Sequence, residues 1–212
     1  MGRKAMSSVA CCPCRCIFCG LVSCVVSVVA CVFVAAGLAV VALYLVFRPH
    51  VMRVSADGAD LGNFTLEPRT WILHYNLSLD IHFRNPNKRI GIQYERLHAQ
   101  AFYQGQRIAH ADLPDLFQDS GDATLLPPVV FFGQAPLQGG VAAAAFRREA
   151  GDNATFSIDV KLDARMKLKL WLIRVPGPNP RIDCQLRIRR RKRATFQLRP
   201  GSFSPTQCKV WF

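Results

Sequence analysis

Between positions 17 and 47 the chain has no charged residue, and only Gly20, Ser23, Ser27 and Gly37 in that stretch fall outside the hydrophobic set. Cysteine is almost missing from the remainder. Cys184 and Cys208 stand alone beyond position 31, although seven others crowd the first 31 positions. Acid is short as well: 14 Asp plus Glu face 27 Lys plus Arg in 212 residues, a formal net charge of +13. No GxSxG, HExxH, GxxxxGK or GxGxxG occurs, which removes the sequence support for a nucleophile elbow, a zinc peptidase helix, a P-loop or a dinucleotide fold. The carboxylates show no paired spacing, and His50, His74, His82, His98 and His110 are scattered, with His82 and His98 on polar strand faces. The chain therefore reads as a non-enzyme with no metal and no cofactor. Disorder is excluded too, because half of the residues are hydrophobic.

The charge-free stretch sets the organisation. A bilayer core of about 30 Å takes about 20 helical residues, and the apolar core 25–47 supplies 23. A cleaved signal peptide has an apolar region of only about 7 to 15 residues, and a soluble helix would have to be buried on every side. A single transmembrane segment is expected over 17–47, acting as a signal anchor. Arg3, Lys4 and Arg15 precede it, while Arg48 and Arg53 follow and are offset by Asp57 and Asp60. That asymmetry favours a cytosolic N-terminus. Three glycosylation sequons, at Asn63, Asn76 and Asn153, all follow the segment and favour the same orientation.

The tail 1–16 is basic and rich in cysteine. Cys11, Cys12, Cys14 and Cys16 read as S-acylation sites or as plain interfacial thiols. The CxxC pairs Cys11/Cys14 and Cys16/Cys19 have only Arg15 between them, too tight for a folded zinc site. Ser23, Ser27, Cys31, Ala35 and Ala39 recur every four residues, a small-residue stripe that predicts a helix-mediated homo-oligomer or a membrane-protein partner.

Residues 48–70 read as a juxtamembrane linker, and 71–212 as the folded domain. From Leu77 to Arg84 apolar and polar residues alternate, the mark of a half-buried strand. Asn85-Pro86-Asn87 breaks it, since Pro86 gives up a ladder donor and holds Asn85 extended. Ile90, Ile92 and Tyr94 resume the pattern, Leu97 to Tyr103 form a further run, and Gln104-Gly105-Gln106 turns into Arg107 to Ala109. Residues 112–128 have loop chemistry, 129–132 read as a strand, and 141–150 fit a short helix or a strand. Runs at 156–162, 166–172, 182–188 and 196–198 complete about seven or eight short strands. This is an antiparallel β-sandwich with at most one short helix. Cys184 and Cys208 have two readings, an extracytosolic disulfide or two buried free thiols.

Arg187, Arg189, Arg190, Arg191, Lys192 and Arg193 place six cations in seven positions. The membrane segment and the lack of interleaved aromatics argue against nucleic acid. Anionic lipid or acidic polysaccharide is the expected partner, against an edge strand guarded by charge.

The tail and anchor, then Asn85-Pro86-Asn87-Lys88-Arg89 and Ile90-Gly91-Ile92 leading to Tyr94, resemble the plant harpin-induced and non-race-specific disease-resistance-like family. Phe102-Tyr103-Gln104-Gly105, Leu113-Pro114, Phe117-Gln118, Phe132-Gly133-Gln134 and Cys184 extend the resemblance over nearly the whole chain. It implies a late embryogenesis abundant group 2 (water-stress and hypersensitive-response) domain, a β-sandwich. It also implies a plasma-membrane glycoprotein of plant defence and stress, non-enzymatic and without a cofactor. Glu95 departs from the family's usual Asp, and Asp119 and Asp122 stand where the family is basic or amide-rich. The expected role is an adaptor or sensor in the apoplast, the alternative a lipid-binding or membrane-tethering sandwich using 187–193.

Overall fold

The computed structural model describes residues 13–47, 50–151, 154–170, 172–191 and 203–212. The chain divides into two units, Met1–Arg48 and Pro49–Phe212. The first contains helix α1 (Pro13–Phe47), with proline in the first turn, where its missing N–H is not needed. Within it Gly20–Leu45 runs 26 residues at a mean hydropathy of 2.8 with no buried residue. That is the length and composition a bilayer crossing requires.

The second unit is built from strands. In chain order they are β1 (Arg53–Leu66), β2 (Ile72–Arg84), β3 (Gly91–Tyr103), β4 (Gln106–Leu113), β5 (Leu116–Gln118) and β6 (Ala123–Leu125). They continue with β7 (Val129–Pro136), β8 (Thr155–Leu170), β9 (Ile173–Pro176), β10 (Arg181–Arg189), β11 (Thr206–Gln207) and β12 (Lys209–Trp211). One sheet is ordered β11-β1-β2-β6 with β7 also on β2; the other is β12-β10-β8-β3-β4 with β5 on β3 and β9 on β8. Strict alternation makes each sheet one-sided. Leu73, Tyr75, Leu77, Leu79, Ile81 and Phe83 of β2 are buried, as are Phe156, Ile158, Val160, Leu162, Ala164 and Met166 of β8. The two apolar faces close on one core. Helix α2 (Gly140–Gly151) caps one end: Phe146 packs 5.8 Å from Phe64 and 5.2 Å from Phe156, ring centre to ring centre.

Several expectations change in detail. The segment 48–70 is not a linker throughout, because β1 occupies 53–66 and buries Val54, Ala56, Leu61 and Phe64. Two bulges, between Ala56 and Gly58 and between Leu61 and Asn63, break its alternation and hide it from a period-2 reading. The runs 90–94 and 97–103 are one strand, joined through a bulge at 95–98 where Arg96 takes φ 52°. The runs expected at 156–162 and 166–172 likewise join in β8, which ends at Leu170. Residues 112–128 carry the short β5 and β6, and 141–150 is helical. The strand expected at 196–198 lies outside the described residues. Gly133 has a steric reason: at φ 154° a Cβ there would stand 2.9 Å from the Tyr75 hydroxyl.

The family-motif residues tie loops together. Among the described residues the buried polar side chains are Asn85, Asn87 and Gln118. Asn85 Nδ2 donates to the Ile90 carbonyl at 2.8 Å and the Asp119 carbonyl at 2.9 Å, and its Oδ1 accepts from the Asn87 amide N–H at 3.1 Å and Asn87 Nδ2 at 3.0 Å. The Asn85 N–H donates to Asp122 O at 2.9 Å. Asn87 then imitates a strand partner for His50: Oδ1 accepts the His50 N–H at 2.6 Å and Nδ2 donates to its carbonyl at 2.9 Å. Beside this knot Gln118 Nε2 donates to Phe83 O at 2.9 Å, and the Tyr94 hydroxyl lies 3.2 Å from Gln118 Oε1 and 3.0 Å from Met52 Sδ. Burial raises the Tyr94 phenol pKa far above its ordinary value. Lys88, by contrast, is exposed.

Cys184 of β10 and Cys208 are joined by a disulfide with Cα atoms 4.4 Å apart, closing a separation of 24 residues. In the chain-entropy picture a loop of this length stabilises the fold by roughly 3.5 kcal/mol.

Two stability predictions follow from these ties. Asn85→Ala leaves buried carbonyls and N–H groups without partners and is expected to destabilise the domain by about 3 kcal/mol or more, while Lys88→Ala changes stability by less than about 0.5 kcal/mol. Thermal unfolding of the detergent-solubilised full chain, followed by tryptophan fluorescence, separates them; equal midpoints would refute the structural role of Asn85. Replacing Cys184 and Cys208 together by alanine is expected to cost about 2–4 kcal/mol, with a matching drop when the wild type is reduced. Peptide mapping without reductant that finds the two cysteines unlinked would overturn that account.

Candidate functional site

Chemistry-bearing residues collect on the two outer faces of the sandwich. On the β1/β2 sheet, Asn63 and Asn76 are exposed and stand directly opposite one another across the strands. The sequon hydroxyl of Thr65 donates to Asn63 Oδ1 at 3.3 Å. On the other flank of β2, Phe132 faces Asn76 and Val130 faces Ser78, and both are largely exposed, Phe132 by 80%. Asn153 lies outside the described residues.

The basic run is divided by the fold. Arg187 and Arg189 are exposed on the outer face of β10, alternating with buried Leu186 and Ile188. Arg190 and Arg191 are turned to a structural task. Arg190 N–H donates to Ala154 O at 2.8 Å, its Nη1 to Phe64 O at 3.0 Å, and Arg191 N–H to Leu61 O at 2.9 Å. Arg191 also grips the Asp60 carboxylate with Nε, at 3.1 Å, and with a terminal nitrogen. These contacts fasten β1 of one sheet to the end of β10 in the other. Within the run expected to bind an anionic surface, Arg190 and Arg191 thus also serve the fold, because guanidinium groups at a sandwich edge can reach groups of the facing sheet. Lys192 and Arg193 lie outside the described residues.

The β3–β4 hairpin assembles a third group. His98 Nδ1 is 2.5 Å and His110 Nε2 3.0 Å from the same Asp112 Oδ1. The hydrogen bond to His98 is the main reason the Asp112 carboxyl is held below the ordinary carboxylate range, with the charge of His110 adding to it. Sequence reading leaves these residues scattered because their meeting depends on one bulge. Gln104 and Gly105 make the tight turn with φ 50° and 76°. Without a bulge His98 would face Ala111. The extra residue at Ile108 shifts the register so that His98 faces Asp112 and Gln100 faces His110, which brings all four to the outer face. The sequence signal was the His110-x-Asp112 spacing on one strand face.

Other buried polar groups belong to packing. The Tyr103 hydroxyl donates to Glu149 Oε2 at 2.8 Å, and burial together with that bond pushes its pKa well up. Cys14 and Cys16 fall in the first turn of α1; Cys11 and Cys12 lie outside the described residues.

Residues 80–191 match the family LEA_2, late embryogenesis abundant protein. That span holds the Asn85 knot, Tyr94, Gln118, the β3–β4 hairpin and β10. NDR1/HIN1-like protein 10 of Arabidopsis thaliana is 31% identical over 166 residues, covering 78% of this chain and 73% of that protein. NDR1/HIN1-like protein 3 of the same plant is 29% identical over 177 residues, covering 83% and 74%. A solution structure of an Arabidopsis thaliana protein is 15% identical, covers 66% of this chain and 84% of that one, and has a TM-score of 0.30. The chain belongs to the LEA_2 late embryogenesis abundant family, among its NDR1/HIN1-like proteins.

Proposed function

We propose that this chain is a single-pass plasma-membrane protein, with the tail 1–16 in the cytosol and the β-sandwich outside it. It acts without catalysis as an adaptor or sensor in plant defence and stress responses. Membership among the NDR1/HIN1-like proteins supports the stress and defence setting. The observation that carries the topology is the exposure of Asn63 and Asn76, side by side on an outer face, since a sequon is modified only where it is reachable in a secretory compartment. A disulfide between Cys184 and Cys208 fits the same oxidising side, and an uncovered apolar helix of 26 residues supplies the anchor. In this reading Cys11, Cys12, Cys14 and Cys16 are acylated at the inner leaflet, and the small-residue stripe of α1 meets a second helix.

A second reading is favoured by Arg187 and Arg189. They form no ion pair among the described residues and present a compact cationic surface on β10, suited to tethering an anionic membrane in a salt-dependent way.

Protease treatment of sealed vesicles is expected to leave the body intact, with a glycosidase-sensitive mobility shift that Asn63→Gln and Asn76→Gln together reduce. Digestion of the body from the cytosolic side, with no shift, sinks the proposed topology. For the second reading, Arg187→Ala combined with Arg189→Ala is expected to abolish association of the detergent-reconstituted chain with added anionic liposomes, and unchanged association rejects that surface.

A further inference from the structure

We propose that His98, His110 and Asp112 form a surface site for a divalent transition-metal ion of the zinc class. The donor set is two imidazole nitrogens and one carboxylate oxygen, the combination that a borderline metal takes in preference to the all-oxygen shells of magnesium or calcium. The three ligand atoms lie within 4.8 Å of one another. Asp112 Oδ1 already sits between the rings, 2.5 Å from His98 Nδ1 and 3.0 Å from His110 Nε2. Ligands held about 2.0–2.2 Å from a tetrahedral ion are roughly 3.4 Å apart. Opening the group to that spacing moves each nitrogen–oxygen pair by less than about an ångström. Rotation of the exposed Asp112 side chain supplies that movement, and the backbone stays where it is. The imidazole rings are 5.8 Å apart and tilted by 32°, converging without stacking.

The platform beneath the donors is stiff. Strand β3 is paired on both sides, with β4 and with β8, and Ala99 and Ala101 below it are fully buried. The neighbouring charges are engaged by partners outside the trio. Asp163 of β8 faces His98 across the sheet and pairs with Arg181 at 3.2 Å. Lys161, opposite Gln100, lies over the Phe102 ring at 4.9 Å, which fixes it to a neighbour outside the trio. Exposed His–Asp contacts add little to stability, so the fold itself has small use for this convergence. With three protein ligands and open solvent above, the fourth position falls to water, the arrangement of an exchangeable or reactive ion rather than a closed structural one.

The test is equilibrium dialysis of Zn²⁺ against the detergent-solubilised full chain with Cys11, Cys12, Cys14, Cys16, Cys19, Cys24 and Cys31 replaced by serine, so that tail thiolates do not compete. One ion per chain is expected, not displaced by excess Mg²⁺. His98→Ala, His110→Ala and Asp112→Asn should each weaken binding by about tenfold or more, and His74→Ala should leave it unchanged. Co²⁺ in place of Zn²⁺ should give the visible bands of nitrogen and oxygen ligation without a thiolate charge-transfer band, and lose them in His98→Ala. Unfolding midpoints equal to the parent's certify that the variants are folded. No binding in the parent, or equal binding in parent and His98→Ala, overturns the site.

Discussion

The carboxamide of Asn85 is the contact on which the geometry of the sandwich most depends. It ties the turn from β2 into β3 to the loop between β5 and β6. All four of its hydrogen-bonding positions are filled. A buried amide in this state acts as a connector with fixed angles, whereas an apolar side chain of equal size would leave two carbonyls and two N–H groups without partners. Pro86 makes the arrangement possible, because it removes a donor that would otherwise need a partner and holds Asn85 extended. Asn87 passes the constraint on by pairing with both peptide groups of His50. Asn85, Pro86 and Asn87 of the family motif are thus architectural, whereas Lys88 beside them is exposed.

How much of this could be read from the sequence follows from which features are local. The alternation of β2, β8 and β10 needs no information beyond the strand itself, and a charge-free stretch of membrane-spanning length is equally self-contained. Strand β1 was hidden because its two bulges each reset the period, so Val54 and Ala56 fall in one phase, Leu61 in the other and Phe64 in the first again. The 141–150 segment is ambiguous by composition and becomes a helix through burial of Ala142, Ala143, Ala145 and Phe146, a tertiary outcome. The hairpin trio depends on a single unpaired residue, Ile108. Register is a global property decided by both sheets, and no window of sequence contains it.

The excess of basic residues also changes meaning once the chain is folded. Arg190 and Arg191 work as clasps between the sheets. Arg191 draws on Asp60 and Arg190 on a backbone carbonyl, so part of the cluster is neutralised or turned inward at the sandwich edge. Exposed ion pairs of this kind contribute little individually. The backbone bonds at 190 and 191 add to them and place the clasp where β1 and β10 would otherwise be free to separate. Among the described residues of the run, the alternating pair Arg187 and Arg189 is what remains for a partner.

The two outer faces consequently differ in what they can offer. On the β1/β2 sheet, the sequon residues Asn63 and Asn76 stand opposite one another with the exposed Phe132 beside them. The β3/β8/β10 sheet meets a sequon at its border, through Thr155, the first residue of β8. It carries the Arg187 and Arg189 pair and, towards its far edge, the His98, His110 and Asp112 group. Arg187, Arg189 and the His98, His110 and Asp112 group, taken separately from sequence as a charge run and as scattered histidines, thus lie on the same sheet.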